Sequence, residues 1–244
     1  MTYCLGILLP KGLVLASDSR SNAGVDQLAQ VHKLSLFTTP NQRVIVILAA
    51  GNLATSQAVV TSLREAAGSG RLNQDVHTAP SMFEVALIVG NKLREIVTRD
   101  ASFVQAYGDP SASFLVGGQI GGEPPRLFQI YSAGNFVEAS DRCRFLQIGE
   151  TKYGKPILDR ALTADASLGQ AAKLALLSFD ATLRSNLSVG EPIDILCYEA
   201  DSFSTSNLAT LESEDGYWKQ LRQSYSDGLS ELVARLPLPP VWKA

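Results

Sequence analysis

The sequence predicts an α+β fold, a four-layer αββα sandwich of two antiparallel sheets packed together and flanked by helix pairs. Three observations carry this. The apolar patterns come in blocks (strands, two helices, strands, two helices, strands) and not in a regular β-α-β alternation. The chain opens on a hairpin, two apolar runs about Pro10-Lys11-Gly12. No linker or internal repeat divides the 244 residues, so a single domain over 1–244, with a C-terminal helix and tail, is expected.

In chain order, Tyr3 to Leu9 and Leu13 to Ser17 form the hairpin, and a polar loop runs from Ser19 to Gln30. Lys33 to Phe37 and Arg43 to Ala50 are the next strands, joined at Thr39-Pro40-Asn41 and closed by Gly51. The period turns helical over Asn52 to Ala67, and again over Ser81 to Arg99, where Ser81-Met82-Phe83-Glu84 has the spacing of a capping box. Strands return at Ala112 to Val116, Arg126 to Tyr131, Asn135 to Glu138 and Arg144 to Ile148. Gly117-Gly118 and Gly121-Gly122 are read as a strand end and a hairpin turn. Lys155 to Leu162 is a short helix, and a second capping box at Ser167 to Gln170 opens a longer one to about Leu187. Strands follow at Ile193 to Glu199 and near Phe203 to Leu208. Glu214 to Leu236 is an amphipathic helix whose aromatic face suits a core or a subunit contact equally, and Pro237-Leu238-Pro239-Pro240 stops it.

A composition 45% hydrophobic and 18% charged is that of a globular chain. A net charge of −3 without a basic block points away from nucleic acid and anionic membranes. Cys4, Cys143 and Cys197 are scattered, without metal spacing, and are read as reduced thiols of a cytoplasmic protein. His32 and His77 form no HExxH pattern, so no metal site is expected. The first apolar stretch has no basic leader and is too short to span a bilayer, so neither a signal peptide nor a transmembrane helix is expected.

The chemistry concentrates at the start. A threonine made N-terminal carries a nucleophilic hydroxyl and, in its own α-amine, a base that titrates near neutral pH. A lysine beside it favours the alkoxide, and an aspartate keeps that lysine charged and in place. Thr2, Asp18 and Lys33 have the required spacing: a hairpin returns Asp18 beside Thr2, and Lys33 would point back from the adjacent strand. With Met1 alone ahead of Thr2, a cellular aminopeptidase is expected to expose the amine.

Thr2 before a hydrophobic strand, then Gly12-Leu13-Val14-Leu15-Ala16-Ser17-Asp18-Ser19-Arg20, resembles the opening of a proteasome β subunit. Lys33-Leu34 and Ala49-Ala50-Gly51 fall where that family has its lysine and its glycine turn. The stretch Gly149-Glu150-Thr151-Lys152-Tyr153-Gly154-Lys155-Pro156-Ile157-Leu158-Asp159-Arg160 resembles the Anbu (ancestral β-subunit) group of bacterial proteasome homologues. The likeness covers roughly Thr2 to Asp201.

The resemblance implies an N-terminal nucleophile hydrolase fold and a threonine-type peptidase. Thr2 would be its nucleophile, Asp18 and Lys33 its electrostatic partners and Gly51 N–H its oxyanion donor. Ser188 falls at a serine that supports the α-amine, and Arg20 is read as tying down the loop after Asp18. The implied protein needs no cofactor. It forms a homo-oligomeric ring or open spiral and takes a peptide or unfolded protein as substrate. Whether an ATPase or adaptor serves it is not written in the sequence.

Two departures keep other readings open. Ser185 stands where active subunits have an aspartate, and Gly149-Glu150-Thr151 stands where they have Gly-Ser-Gly. These motivate a non-proteolytic or weakly active assembly subunit. An amidase acting on small amides with the same nucleophile is a third reading. His32 is read as a loop residue. Gly149 to Lys155 nearly spells a phosphate-binding G-x-x-x-x-G-K loop, but Pro156 replaces the Ser or Thr that would meet magnesium.

Overall fold

The computed structural model describes residues 2–22, 28–68 and 75–242. Strands β1 (Tyr3–Leu9) and β2 (Gly12–Asp18) form the opening hairpin, with Cys4 opposite Ser17 and Leu9 opposite Gly12. A short ladder, β3 (Arg20–Asn22) with β4 (Leu28–Gln30), occupies the ends of the segment read as loop, and 23–27 lie outside the described residues. Next come β5 (Leu34–Thr39), β6 (Arg43–Gly51), α1 (Leu53–Ala66) and α2 (Met82–Val104). These are followed by β7 (Ala112–Ile120), β8 (Arg126–Ile130), β9 (Phe136–Glu138) and β10 (Phe145–Gly149). The chain ends with α3 (Lys155–Ala161), α4 (Leu168–Ser185), β11 (Ile193–Glu199), β12 (Leu208–Leu211), α5 (Gly216–Arg235) and a 3-10 turn (Pro240–Trp242).

One five-stranded sheet runs β10-β1-β2-β11-β12 and the other β5-β6-β7-β8-β9, both antiparallel. Alternation along the strands builds the layers. On β6, Val44, Val46 and Leu48 face the other sheet, meeting Leu13 and Leu15 of β2, while Ile45 and Ile47 pack under α1 and α2. On β1 and β2, Leu5, Ile7, Val14 and Ala16 pack under α4, against Ala171, Ala175 and Phe179. Both faces of each central strand are buried, which is why these strands read as continuous apolar runs. The result is the αββα sandwich that the block order predicts.

The helices start where their caps predict. Asn52 accepts from Thr55 N–H at 3.1 Å, and Ser81 from Glu84 N–H at 3.2 Å. At Ser167 and Gln170 the reciprocal capping box forms, at 2.8 and 3.2 Å.

Three expectations are corrected. Strand β7 runs through Gly117-Gly118 to Ile120 instead of ending at Val116. A Cβ at Gly118 would lie 2.0 Å from the Val44 carbonyl oxygen and one at Gly117 3.0 Å from the Leu15 side chain, so these glycines mark close packing within a strand, not its end. The last strand lies at Leu208–Leu211, after the expected position, because Asp201 and Phe203 take positive φ (64° and 46°) and spend that stretch on a turn. Lys33 does not come from a strand adjacent to β2: β5 belongs to the opposite sheet, so Lys33 reaches Asp18 from across the sandwich.

Helix α5 divides the alternatives for its apolar face. Trp218 is fully buried in the α4 layer and donates its indole N–H to Glu191 Oε1 at 3.1 Å. Arg222 bonds Asp180 at 2.9 Å and Glu191 at 3.0 Å. Beyond that, Leu229, Leu232 and Leu236 are about half exposed. Trp218→Ala is expected to cost about 3–5 kcal/mol, read as a lower denaturant midpoint, because it empties the one buried anchor of α5.

Candidate active site

The sandwich brings the ends of β1 and β2 in one sheet against those of β5 and β6 in the other, and this meeting point holds the predicted residues. Thr2 precedes β1 and is nine-tenths buried. Its carbonyl oxygen accepts from Glu150 N–H at 2.7 Å. That approach requires glycine at 149, which has φ +82° and where a Cβ would lie 1.9 Å from the same oxygen. One residue on, Tyr3 N–H donates to Asp18 Oδ1 at 3.0 Å.

Asp18 ends β2 with no exposure. Its carboxylate accepts from Lys33 Nζ at 2.7 Å and from Gly190 N–H at 3.2 Å, besides Tyr3. Burial pushes this carboxyl above the ordinary aspartate range, while the Lys33 ammonium and the N–H donors pull it back. Lys33 also donates to the Arg20 carbonyl at 2.6 Å, so two of its three donors are fixed. The hydroxyls of Ser17 and Ser19, on either side of Asp18, are buried without a partner among the described residues.

Arg20 ties down the far wall as expected. Its guanidinium donates to the Leu187 carbonyl at 2.7 Å and lies where a Cβ on Gly190 would be, 2.2 Å from Arg20 Nε. Ser188 stands in the same loop, half-buried, its N–H bonded to Asn186 Oδ1 at 2.9 Å. His32 is exposed, with Nδ1 3.2 Å from Asp194.

Gly51 ends β6. Along β6 the N–H groups alternate: Asn52 bonds Ser111 on the β7 side, and Ala49 bonds Lys33 on the β5 side. Gly51 N–H therefore points to the β5 side, beyond the start of β5, which pairs only from Leu48 onwards. A cavity of about 380 Å³ opens there, lined by Thr2, Lys33, Gly51 and one face of α1.

Two residues here escaped the sequence reading. Glu150, noted there only as a departure, is buried, and its carboxylate accepts from Asn186 Nδ2 at 2.8 Å with Lys152 Nζ at 3.4 Å. Asn186, at the C-cap of α4, joins Glu150 to the Ser188 backbone. The signal for it was Asn186-Leu187-Ser188 at a helix end, the composition of an Asx turn. Ser185, by contrast, is exposed on the last turn of α4. Lys155 spends its ammonium on both Asp159 oxygens, at 2.7 and 2.6 Å, within its own helix.

Beneath the site Cys4 is fully buried, and burial pushes its thiol far up, whereas Cys143 is exposed. Ellman's reagent should therefore modify Cys143 at once in native protein and Cys4 only after denaturation; fast loss of Cys4 would contradict this packing.

The comparisons decide the family. The proteasome subunit family matches residues 2–197. The chain belongs to the proteasome subunit family. Within it, the chain falls in the Anbu group. It is 45% identical to the helical assembly of the Anbu complex from Pseudomonas aeruginosa, with TM-score 0.93 over 99% of this chain and 100% of that one. It is 43% identical to Anbu from Yersinia bercovieri, with TM-score 0.91 over 97% of this chain and 98% of that one. A more distant relative, proteasome subunit beta 2 of Pyrobaculum calidifontis, is 29% identical over 79% of this chain and 86% of its own length. The chain is thus a proteasome-like protein with the N-terminal nucleophile hydrolase sandwich. Among the described residues no helix is long and apolar enough to cross a membrane, and no group of three or more His, Cys, Asp or Glu is placed to hold a metal ion.

Proposed function

We propose that this Anbu-group protein is a threonine-type peptidase whose nucleophile is Thr2 once Met1 is removed. The observation that carries the reading is the buried Lys33–Asp18 pair at 2.7 Å, fixed against the Tyr3 N–H and the Arg20 carbonyl. A fully buried carboxylate and a nearly buried ammonium are costly to keep as structure alone. Here the pair leaves one Lys33 donor for the Thr2 hydroxyl.

In the proposed cycle the α-amine takes the hydroxyl proton as Oγ bonds to the substrate carbonyl carbon. Lys33 stabilises the developing alkoxide. The carbonyl oxygen becomes an oxyanion facing Gly51 N–H. Collapse breaks the C–N bond, and the ammonium returns its proton to the leaving amine. Water then adds to the acyl ester with the amine again as base, releasing the acid and restoring Thr2.

In this reading Glu150 and Asn186 take over from the departed Gly-Ser-Gly and aspartate positions, holding the Thr2 carbonyl and the 186–190 loop together. Arg20 supports that loop, and Ser188 stands in it where the family's serine supports the α-amine. Glu150→Gln keeps the backbone bond to Thr2 and removes only a charge. Its expected effect is a displaced lower limb of the kcat/KM pH profile with a small change in melting temperature. An unmoved profile would leave Glu150 a packing residue.

Self-association is proposed through the outer half of α5, whose leucines are exposed in the single chain and whose Pseudomonas relative forms a helical assembly. That surface also favours the second reading, a subunit that assembles without cleaving. Turnover of a fluorogenic peptide by processed protein separates the two, and its dependence on peptide length separates a peptidase from a small-amide amidase.

A further inference from the structure

The cavity beside Thr2 has a charge of its own. One wall is the face of α1 that carries Ser56, Val60 and Arg64, spaced four residues apart. The opposite wall is the start of β5, where Lys33 and Ser35 share a face. Arg64 crosses between the walls: its Nη2 donates to Ser35 Oγ at 3.3 Å, and its guanidinium lies 5.9 Å from the Phe37 ring centre.

Ser35 is one two-residue step from Lys33, about 7 Å along the strand. The Arg64 charge is therefore held one strand step beyond Lys33, in the cavity that Thr2 also lines. Among the described residues Arg64 has no carboxylate partner, and no Asp or Glu lines the cavity. Lys33 is already neutralised by Asp18. Arg64 brings five donors and spends one on Ser35, leaving a fork shaped for a carboxylate.

We infer that Arg64 makes this cavity a pocket for an acidic substrate side chain, glutamate foremost. That side chain belongs to the residue whose carbonyl Thr2 attacks. The inference rests on the peptidase reading and names the substrate class of the same site. The Gly51 N–H at the cavity mouth supports the placement, because the carbonyl it faces belongs to the residue whose side chain enters. A lysyl side chain would meet like charge at short range. Arg64 is exposed in the free protein, and a leucyl side chain would bring its guanidinium no counter-charge.

The test uses full-length, Met-processed protein and three blocked peptide epoxyketones differing only in the residue next to the warhead: Glu, Leu or Lys. Intact mass follows the rate of Thr2 modification. The Glu probe should react about tenfold faster than the Leu probe, the effect of one charge-assisted hydrogen bond, and faster still than the Lys probe. Arg64→Glu should reverse the order, with Lys ahead of Glu. Arg64→Gln, which keeps the reach without the charge, should flatten it. A melting temperature within a few degrees of the parent shows that either variant is folded. Leu reacting as fast as Glu, or an order that survives Arg64→Glu, overturns the inference and leaves the peptidase reading standing. Modification by none of the three overturns both.

Discussion

Thr2→Ala is expected to reduce peptide turnover by about a thousandfold or more, the scale on which removal of a covalent nucleophile is felt. The loss should fall on kcat, since the hydroxyl acts only once a substrate is bound. Little else should change. The Thr2 carbonyl keeps its bond from Glu150, and the Tyr3 N–H keeps its bond to Asp18, because both are backbone groups. A melting temperature within a few degrees of the parent would show that the loss is chemical. Thr2→Ser keeps a hydroxyl beside the same amine and should retain measurable turnover. Equal turnover in Thr2→Ala and the parent would exclude this nucleophile.

Lys33→Met is expected to cost about 3–5 kcal/mol of stability together with activity, because it leaves Asp18 as a buried carboxylate without a counter-charge. In a chain of this size that is a drop on the order of 10 °C in melting temperature. The pH dependence has a definite sign. Burial already raises the Asp18 carboxyl above its unfolded value even with Lys33 present. Removing Lys33 takes away the largest opposing influence and raises it further. Between the unfolded and folded values the native state then holds a proton that the unfolded state has lost. Stability is therefore fullest in acid and falls as pH rises through the folded value. The variant should melt higher near pH 4 than at pH 7, by a wider margin than the parent. A variant whose stability is flat across that range would show that the carboxylate is solvated or paired elsewhere. Asp18→Asn with Lys33 retained should lose activity without acquiring this acid stabilisation, since it carries no titrating group.

The sandwich was legible because its central strands are apolar on both faces and its helices carry plain caps at Ser81 and Ser167. Periodicity and capping are local, and both survive into the folded chain. Strand pairing was not legible to the same degree. Lys33 lies just before a strand, and nothing within that strand says which sheet it joins; the pairing of Leu34 to Thr39 with Leu48 to Arg43 of β6 decides it. Gly117-Gly118 read as punctuation, since close approach to Val44 depends on a neighbour that is distant in sequence. At the site, Thr2, Asp18 and Lys33 could be named because the chemistry requires those three residue types. Glu150 and Asn186 were not named: the Asx-turn composition after α4 marks Asn186 as a turn residue, but nothing local joins it to Glu150, 36 residues away. Arg64 was hidden for a related reason: on α1 it is an ordinary basic residue in the last turn, and only the facing Ser35 turns it towards a cavity.

The first measurement to make is the intact mass of the protein with and without a peptide epoxyketone, a warhead that closes a ring with both the hydroxyl and the free α-amine of an N-terminal threonine. Loss of Met1 followed by one adduct per chain, mapped to Thr2 and absent from Thr2→Ala, is the predicted result. Processed chains that remain unmodified while their Lys33–Asp18 pair is intact would contradict the nucleophile assignment and leave a proteasome-like subunit that assembles without cleaving.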